Sequence, residues 1–312
     1  VREASGGEFA AIEVLRARLP GPPPDEVWMG DDAAVVAPPS APLLLTTDLV
    51  VEGVHVDLGY SSPEDVGFKA VMAAVSDVAA MGGEPLHLLV AVSGPPETDL
   101  GALYEGVAAA AAAAGAAVVG GDLSAGPVLA LACAVTGTLR PFAPGDAPVT
   151  RGGARPGDRL YVTGALGRSA AGLRLLREDA GATGPLVEAH RRPRARVAEG
   201  RAARLGGASA MIDVSDGLAA DLGHLADASG VGFELVPVPV APGCTLDEAL
   251  GGGEDYELVL AAPDAARLSE AFAEAGLAPP LEIGRCVEDP ARRLLEGRPL
   301  PPRGFEHRFA RP

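Results

Sequence analysis

Lysine is almost missing from this chain: Lys69 is the only one in 312 residues. It lies in G-F-K-A-V-M, outside any G-x-x-x-x-G-K-[ST] or V-A-I-K context, so neither a P-loop nor a protein-kinase lysine is present. Nucleotide phosphates, if handled at all, are handled without a Walker lysine. Cysteine is scarce too. Cys133, Cys244 and Cys286 are odd in number, far apart and in no C-x-x-C pair, which reads as small buried residues in a reducing compartment. The five histidines show no H-E-x-x-H or H-x-H spacing, so a zinc site is not expected. No apolar run reaches the roughly 18 residues of a membrane span; the most apolar stretch, Val107 to Val119, is bracketed by Glu105 and Asp122. The first fifteen residues contain early acids and no signal-length apolar run. A cytoplasmic protein without a membrane partner is expected. Excess positive charge is lacking as well: 25 Lys and Arg against 42 Asp and Glu leave a net charge of −17. Nothing here would displace counterions from a nucleic acid, and no nucleic-acid partner is expected.

What is present describes two folded domains. At 312 residues and 48% apolar side chains, the chain is long enough for two cores. Phe9, Ile12, Leu15 and Leu19 recur at helical spacing until Pro20. Ala34–Val36 and Leu43–Thr46 read as short strands. Ser62-Pro63-Glu64-Asp65 combines a cap, a first-position proline and first-turn acids, predicting a helix to about Met81. A strand over Leu86–Val92 and an Ala-rich helix from Asp99 to Ala114 follow. Then come a strand Ala116–Val119, a turn at Gly120-Gly121-Asp122 and a strand Val128–Thr138. Pro141 to Pro156 has no apolar period, which puts the boundary near residue 148 and the domains at 1–148 and 149–312. In the second half, strands are expected at Arg159–Thr163, Met211-Ile212, Phe233–Val236, Tyr256–Leu260 and Leu281–Ile283. Helices are expected over Ser169–Arg177, the Arg-rich His190–Leu205, the segment capped by Ser215, and Pro263–Ala275. The pattern is α/β and α+β in two domains, with no tandem repeat.

The acids are unevenly placed. Gly30-Asp31-Asp32, Thr46-Thr47-Asp48, Gly120-Gly121-Asp122 and Ile212-Asp213-Val214-Ser215-Asp216 stand at the ends of apolar strands, and Asp77 sits inside an apolar helix. Singly, each is a cap or turn residue. Together they point to one crevice, because strand ends of an α/β sheet tend to converge. Two carboxylates about 4 Å apart repel by about 4 kcal/mol at an effective dielectric of ~20. A shared crevice therefore raises their pKa values or takes up cations. Oxygen-only donors favour Mg²⁺, Mn²⁺ or Ca²⁺, and Mg²⁺ typically joins one or two carboxylates to substrate phosphates. The residues point to metal-mediated phosphate chemistry. Gly164-Ala-Leu-Gly167-Arg-Ser-Ala-Ala-Gly172 opens a helix, so its amides either face an anion or merely turn the chain. Gly251-Gly252-Gly253-Glu254-Asp255-Tyr256-Glu257 implies close backbone approach. Arg151 is equally a linker residue or a phosphate contact.

In order along nearly the whole chain, these motifs resemble the thiamine-monophosphate kinase family, within the superfamily of aminoimidazole ribonucleotide synthetase. The pieces are G-E-F at Gly7–Phe9, G-D-D-A-A at Gly30–Ala34, T-D-L-V at Thr47–Val50 and G-V-H at Gly53–His55. K-A-V-M-A-A-V-S-D-V-A-A-M-G at Lys69–Gly82, G-G-D at Gly120–Asp122 and R-G-G-A-R-P-G-D from Arg151 follow, then I-D-V-S-D-G-L from Ile212 and G-G-E-D-Y-E-L from Gly252. The resemblance implies that ATP phosphorylates thiamine monophosphate to the diphosphate. It implies several Mg²⁺ ions on Asp32, Thr46, Thr47, Asp48, Asp77, Asp122, Asp213 and Asp216, of which Asp48, Asp122 and Asp216 are catalytic. It implies nucleotide contacts from Tyr104, Gly121, Asp122, Arg151 and Ser215, and thiamine-side contacts from His55, Glu254 and Phe305. It further implies an N-terminal α/β domain that pairs in a homodimer, a C-terminal α+β domain, and an active site between them. A sister ATP-dependent enzyme with another acceptor and a non-catalytic nucleotide or thiamine-phosphate sensor stay open as alternatives. The absence of any cysteine before Cys133 weighs against a selenophosphate-type chemistry.

Overall fold

The computed structural model describes residues 8–29 and 33–307. Two compact units are formed, one from the residues up to 78 with 84–139, the other from 79–83 with 140–312. The first unit carries α1 (Glu8–Arg16), β1 (Leu43–Val51), α2 (Pro63–Ala80, all but its last two residues), β2 (Glu84–Gly94), α3 (Leu100–Ala114), β3 (Ala117–Ala125) and β4 (Ala130–Thr138). Its sheet runs β1-β4-β2-β3. The β1–β4 and β4–β2 pairs are antiparallel, while β2 and β3 are parallel with α3 as the crossover between them.

Local chemistry sets these helices. At the start of α2 the Asp65 amide donates to Ser62 Oγ (3.1 Å) and the Ser62 amide to Asp65 Oδ2 (3.2 Å), a reciprocal cap ahead of Pro63. Asp99 caps α3 by accepting from the Ala102 amide, and Gly115 at φ 75° ends it. Gly67 and Gly106 bring α2 and α3 into backbone contact, since a Cβ on either would stand 2.1 Å from Leu103 O or 1.8 Å from Glu64 O. Val71, Val75, Leu103 and Val107 bury one face of the sheet together with Leu88, Val90, Leu131 and Val135. The other face is open: Leu43, Leu45, Leu49 and Leu89 are 52, 71, 50 and 45% exposed.

The second unit contains β5 (Arg159–Val162), α4 (Arg168–Glu178), α5 (Pro185–Arg191), α6 (Val197–Leu205), β6 (Ala210–Asp213), α7 (Leu218–Ser229) and β7 (Gly232–Leu235). It continues with α8 (Leu246–Gly251), β8 (Leu258–Ala262), α9 (Ala265–Glu274), β9 (Leu281–Val287), β10 (Arg293–Leu295) and β11 (Arg298–Pro299). Its sheet order is β11-β10-β7-β9-β5-β8-β6. One core joins Leu218, Leu222 and Leu225 of α7 to Leu160, Val259 and Ile283; another joins Leu268 and Phe272 of α9 to Tyr161 and Leu260. Neighbouring residues of one strand thus feed opposite cores, and all of β8 is buried.

Several expectations are corrected. The Arg-rich helix is two, α5 and α6, because Pro193 lacks an amide and disfavours helical geometry in the residue before it. Gly120-Gly121-Asp122 lies inside β3, not in a turn; Gly121, at φ 158°, passes so close to β2 that a Cβ would stand 1.9 Å from Val90 O. Ala34–Val36 contributes only the bridge Val27–Val35. α7 begins after Gly217 rather than at Ser215. β8 starts at Leu258 because Glu254 (φ 65°) and Tyr256 (φ 49°) are left-handed, which no strand accommodates. The unforeseen α8 has a Thr245–Glu248 capping box, a T-x-x-E signal legible in the sequence. Among the described residues, no helix is long and apolar enough to cross a membrane.

Candidate active site

The first unit sets its acids out along a pleat. On β1, Thr46 and Asp48 face the helices, and Thr46 Oγ1 donates to Asp77 Oδ2 of α2 at 2.5 Å. Asp48 lies in register with Cys133, and its charge, second to burial, helps push that thiol up to about 12. Thr47 points the other way, as alternate strand residues must, and is exposed on the open face. Asp122 is in register with Ala91 and through it with Ala132 and Leu49, so it shares Thr47's face. It also stands on the far edge strand, three inter-strand steps or about 14 Å from β1. The structure therefore brings Thr46, Asp48 and Asp77 together and does not bring Thr47 and Asp122 to them. Asp32 lies outside the described residues.

Beyond β1 the chain turns at Gly53, and the Val51 amide donates to His55 Nδ1 at 3.1 Å. That bond places the proton of neutral His55 on Nε2. Lys69 is 2% exposed and donates from Nζ to His55 O at 3.2 Å, so the one lysine supports the His55 loop. Tyr104 is buried beneath the sheet with its hydroxyl 3.4 Å from Val90 O, and burial, Cys133 and Asp122 push its pKa up to about 12.

The second unit sews three distant segments together. Val214 N donates to Glu257 O (2.7 Å), Tyr256 N to Val214 O (2.9 Å) and Glu254 N to Ser215 O (2.8 Å). The C-terminal tail joins them, with Phe305 N donating to Asp216 O at 3.0 Å. Asp213, Ser215, Asp216, Glu254 and Phe305 thus stand on one connected backbone patch. Phe305 is 47% exposed and packs edge-on against His307, ring centroids 4.7 Å apart. Arg151 sits elsewhere. Met211 N donates to Thr150 O while Gly153 lies against Ser209 O, so the segment runs antiparallel to β6 and away from Asp213. Arg151 is exposed alongside the start of β6.

Three acids to which the sequence assigns no individual role, Asp221, Asp255 and Glu257, anchor these segments. Asp221 Oδ2 accepts from the amides of Asp216 and Gly217 (3.0 and 2.9 Å), holding the turn ahead of α7. Burial first, then the charges of Asp213 and Asp216, push Asp221 up to about 8. Asp255 accepts from the amides of Gly167 (2.5 Å) and Ser169 (2.9 Å), so the anion at the Gly164–Gly172 loop is an internal carboxylate. Glu257 pairs with Arg196 and accepts from Thr163 Oγ1 at 2.6 Å. A cue for these was a run of acids in a buried setting beside Gly-rich loops.

Asp255 yields a pH prediction. Burial raises its carboxyl from 3.8 to about 6 despite the two amides. Between those values the folded chain holds a proton that the unfolded chain has released, so this stabilisation is lost as pH rises from about 4 to about 6. Urea midpoints across that window should fall less steeply for Asp255→Asn than for the parent; equal slopes would refute the assignment.

Among the described residues, no three of His, Cys, Asp or Glu stand close enough to share a metal ion. The donors nonetheless fit a hard divalent cation in kind. They are oxygen-only, and the charge crowding felt by Asp221 beside Asp213 and Asp216 is what such an ion relieves.

Comparison with known proteins places this architecture. Residues 30–139 match the N-terminal domain of AIR synthase related proteins, and residues 155–295 match their C-terminal domain. The two units therefore define a two-domain protein of the AIR synthase-related class. The chain is 36% identical over 297 residues to the thiamine-monophosphate kinase of Mycobacterium tuberculosis, covering 93% of this chain and 88% of that one. Among solved structures it is similar to the thiamine-monophosphate kinase from Stenotrophomonas maltophilia K279a, with TM-score 0.80, 32% identity and coverage of 94% and 98%. It is similar also to AaThiL complexed with AMPPCP and TMP, with TM-score 0.76, 33% identity and coverage of 98% and 99%. The chain belongs to the thiamine-monophosphate kinase family.

Proposed function

We propose that this protein transfers the γ-phosphoryl group of ATP to the phosphate of thiamine monophosphate, giving thiamine diphosphate and ADP, as a cytoplasmic homodimer. The reading rests on the sewn patch of the second unit, which holds Ser215 and Asp216 next to Glu254 and Phe305. A nucleotide-side group and two acceptor-side groups are thereby fixed to one scaffold. Thr46, Asp48 and Asp77 of the first unit would hold Mg²⁺, as would Asp213 and Asp216 of the second, with Asp32 as a further donor; Thr47 and Asp122, which lie apart from the Thr46 group, would serve separate ions. Bound Mg²⁺ supplies charge neutralisation between two polyanions.

The chain's own residues then have a limited task. The acceptor is a phosphate monoester with an already anionic oxygen, so no side chain has to remove a proton from it. In-line placement is what the protein provides. Gly121 and Arg151 complete the nucleotide side, and Tyr104 supports β2 from beneath the sheet. His55, held by the Val51 amide and by Lys69 beneath its carbonyl, presents its ring on the acceptor side and is no base. The apolar face formed by Leu43, Leu45, Leu49 and Leu89 is the surface through which two copies pair.

The direct test is product formation by the purified protein with ATP and Mg²⁺, with thiamine monophosphate, unphosphorylated thiamine and unrelated phosphate monoesters offered in parallel. Thiamine diphosphate from the monophosphate alone is expected. Preference for another acceptor would favour a sister activity, and tight binding without conversion a sensor.

A further inference from the structure

We propose that His190 is a positioning residue that aims the Glu254 carboxylate at the acceptor substrate. The inference rests on the reading of Glu254 as an acceptor-side residue.

Glu254 is held in an unfavourable backbone state. Its φ of 65° is left-handed, a region that non-glycine residues rarely occupy. Such strain persists where surrounding bonds over-determine it and is concentrated at ligand sites. Here the Glu254 amide is fixed by Ser215 O, and the next residue, Asp255, is fixed to the Gly167 and Ser169 amides. The backbone is thus set from both sides, and the side-chain direction is a separate matter.

His190 supplies that direction. It sits on α5 at 3% exposure, with Nδ1 3.6 Å from Glu254 Oε2 and 3.0 Å from Ser169 Oγ. A carboxylate facing Nδ1 favours the form that carries a proton on that nitrogen, because a lone pair there would be repelled. Ser169 is itself buried, and its own amide is bound by Asp255. One short path therefore joins Asp255, Ser169, His190 and Glu254. Packing alone does not require this histidine, since burying imidazole costs free energy that an apolar ring of similar size would not. The Glu254 side chain is 23% exposed, so it is partly open to solvent while one carboxylate oxygen stands beside the buried His190.

The neighbouring acids follow the same scheme. Arg196, six residues beyond His190, pairs with Glu257, and Thr163 bonds the same carboxylate. Of the three acids of the E-D-Y-E run, Asp255 and Glu257 secure the scaffold, and Glu254 stands partly exposed beside His190.

Four single variants of the full-length protein, Glu254→Gln, His190→Phe, His190→Asn and Ser169→Ala, and the double variant Glu254→Gln/His190→Phe test this. Each is read as separate KM values for thiamine monophosphate and ATP, and as kcat. Glu254→Gln should raise KM for thiamine monophosphate about ten-fold with KM for ATP unchanged. His190→Phe keeps the ring shape but loses the nitrogens, and should do the same, with the double variant no worse than either single one. His190→Asn, whose amide reaches the Nδ1 position, should recover most of the loss, whereas a packing role predicts the opposite order. Should His190→Phe fail to fold, Ser169→Ala removes only one oxygen and should still raise that KM about two- to three-fold. Wild-type KM for thiamine monophosphate in both His190→Phe and Ser169→Ala, with Glu254→Gln impaired, overturns the positioning role alone. No effect in Glu254→Gln refutes the acceptor-side reading of Glu254 and this inference with it.

Discussion

Asp48→Asn is expected to lower kcat for thiamine diphosphate formation by at least about a hundred-fold, whereas His55→Asn should lower it by about ten-fold or less. The contrast follows from the chemistry of the acceptor. An anionic phosphate oxygen needs no general base, so a histidine beside it contributes to placement and its loss falls mainly on KM. What opposes reaction is repulsion between the acceptor phosphate and the γ-phosphoryl group of ATP. Asp48 is a half-buried carboxylate on the helix-facing side of β1, next but one to Thr46, whose hydroxyl is bonded to Asp77. Replacing one oxygen by an amide nitrogen leaves the size of the side chain unchanged, so thermal melting should barely move. Steady-state assays of both variants decide the matter: equal losses, or a larger loss for His55→Asn, would assign the proton chemistry that this account denies.

Leu45→Glu is expected to convert the proposed dimer to a monomer. Leu45 is 71% exposed and lies between Leu43 and Leu49 on the open face, so it contributes little to the fold of its own unit. In a two-fold pairing of that face, each copy would bring one carboxylate into an apolar contact. Burying an unpaired charge costs several kcal/mol, and about 4 kcal/mol corresponds to a roughly thousand-fold weaker association. Sedimentation equilibrium at micromolar concentration should show the parent at twice the chain mass and the variant at the chain mass. A variant that remains dimeric would show that the copies meet elsewhere.

Much of the scaffold was legible in the sequence because its signals are local. Ser62-Pro63-Glu64-Asp65 predicts the start of α2, and the cap found there uses two of those residues. Asp99 and Gly115 bracket α3 in the same way. The break at Pro193 follows from the missing amide and was available to the same reasoning, yet the run of arginines around it carries a helical pattern that masks it. Gly120-Gly121-Asp122 misleads for a different reason. Glycine pairs usually mark turns, and only the proximity of Val90 O shows that these glycines let β3 lie close to β2.

The site was less legible. Family motifs place Thr46 and Thr47 in one donor set, but the two-residue period of a strand sends them to opposite faces. Asp122 was grouped with Asp48 by motif, while strand order, a property of the whole sheet, separates them. The roles of Asp221, Asp255 and His190 depend on contacts across 5, 86 and 64 residues of chain. Two of these spans are far outside any local signal. The pairing of the 212–217 and 252–257 motifs likewise depends on backbone bonds that no spacing rule specifies.

Carboxylates of both units are proposed to hold divalent ions beyond the one that accompanies ATP, and the rate as a function of free Mg²⁺ at constant MgATP and thiamine monophosphate tests this. The rate is expected to keep rising after essentially all ATP is complexed, and Asp48→Asn and Asp213→Asn are expected to shift this rise to higher Mg²⁺. A rate that levels off once MgATP has formed, unchanged in position by either substitution, would contradict it.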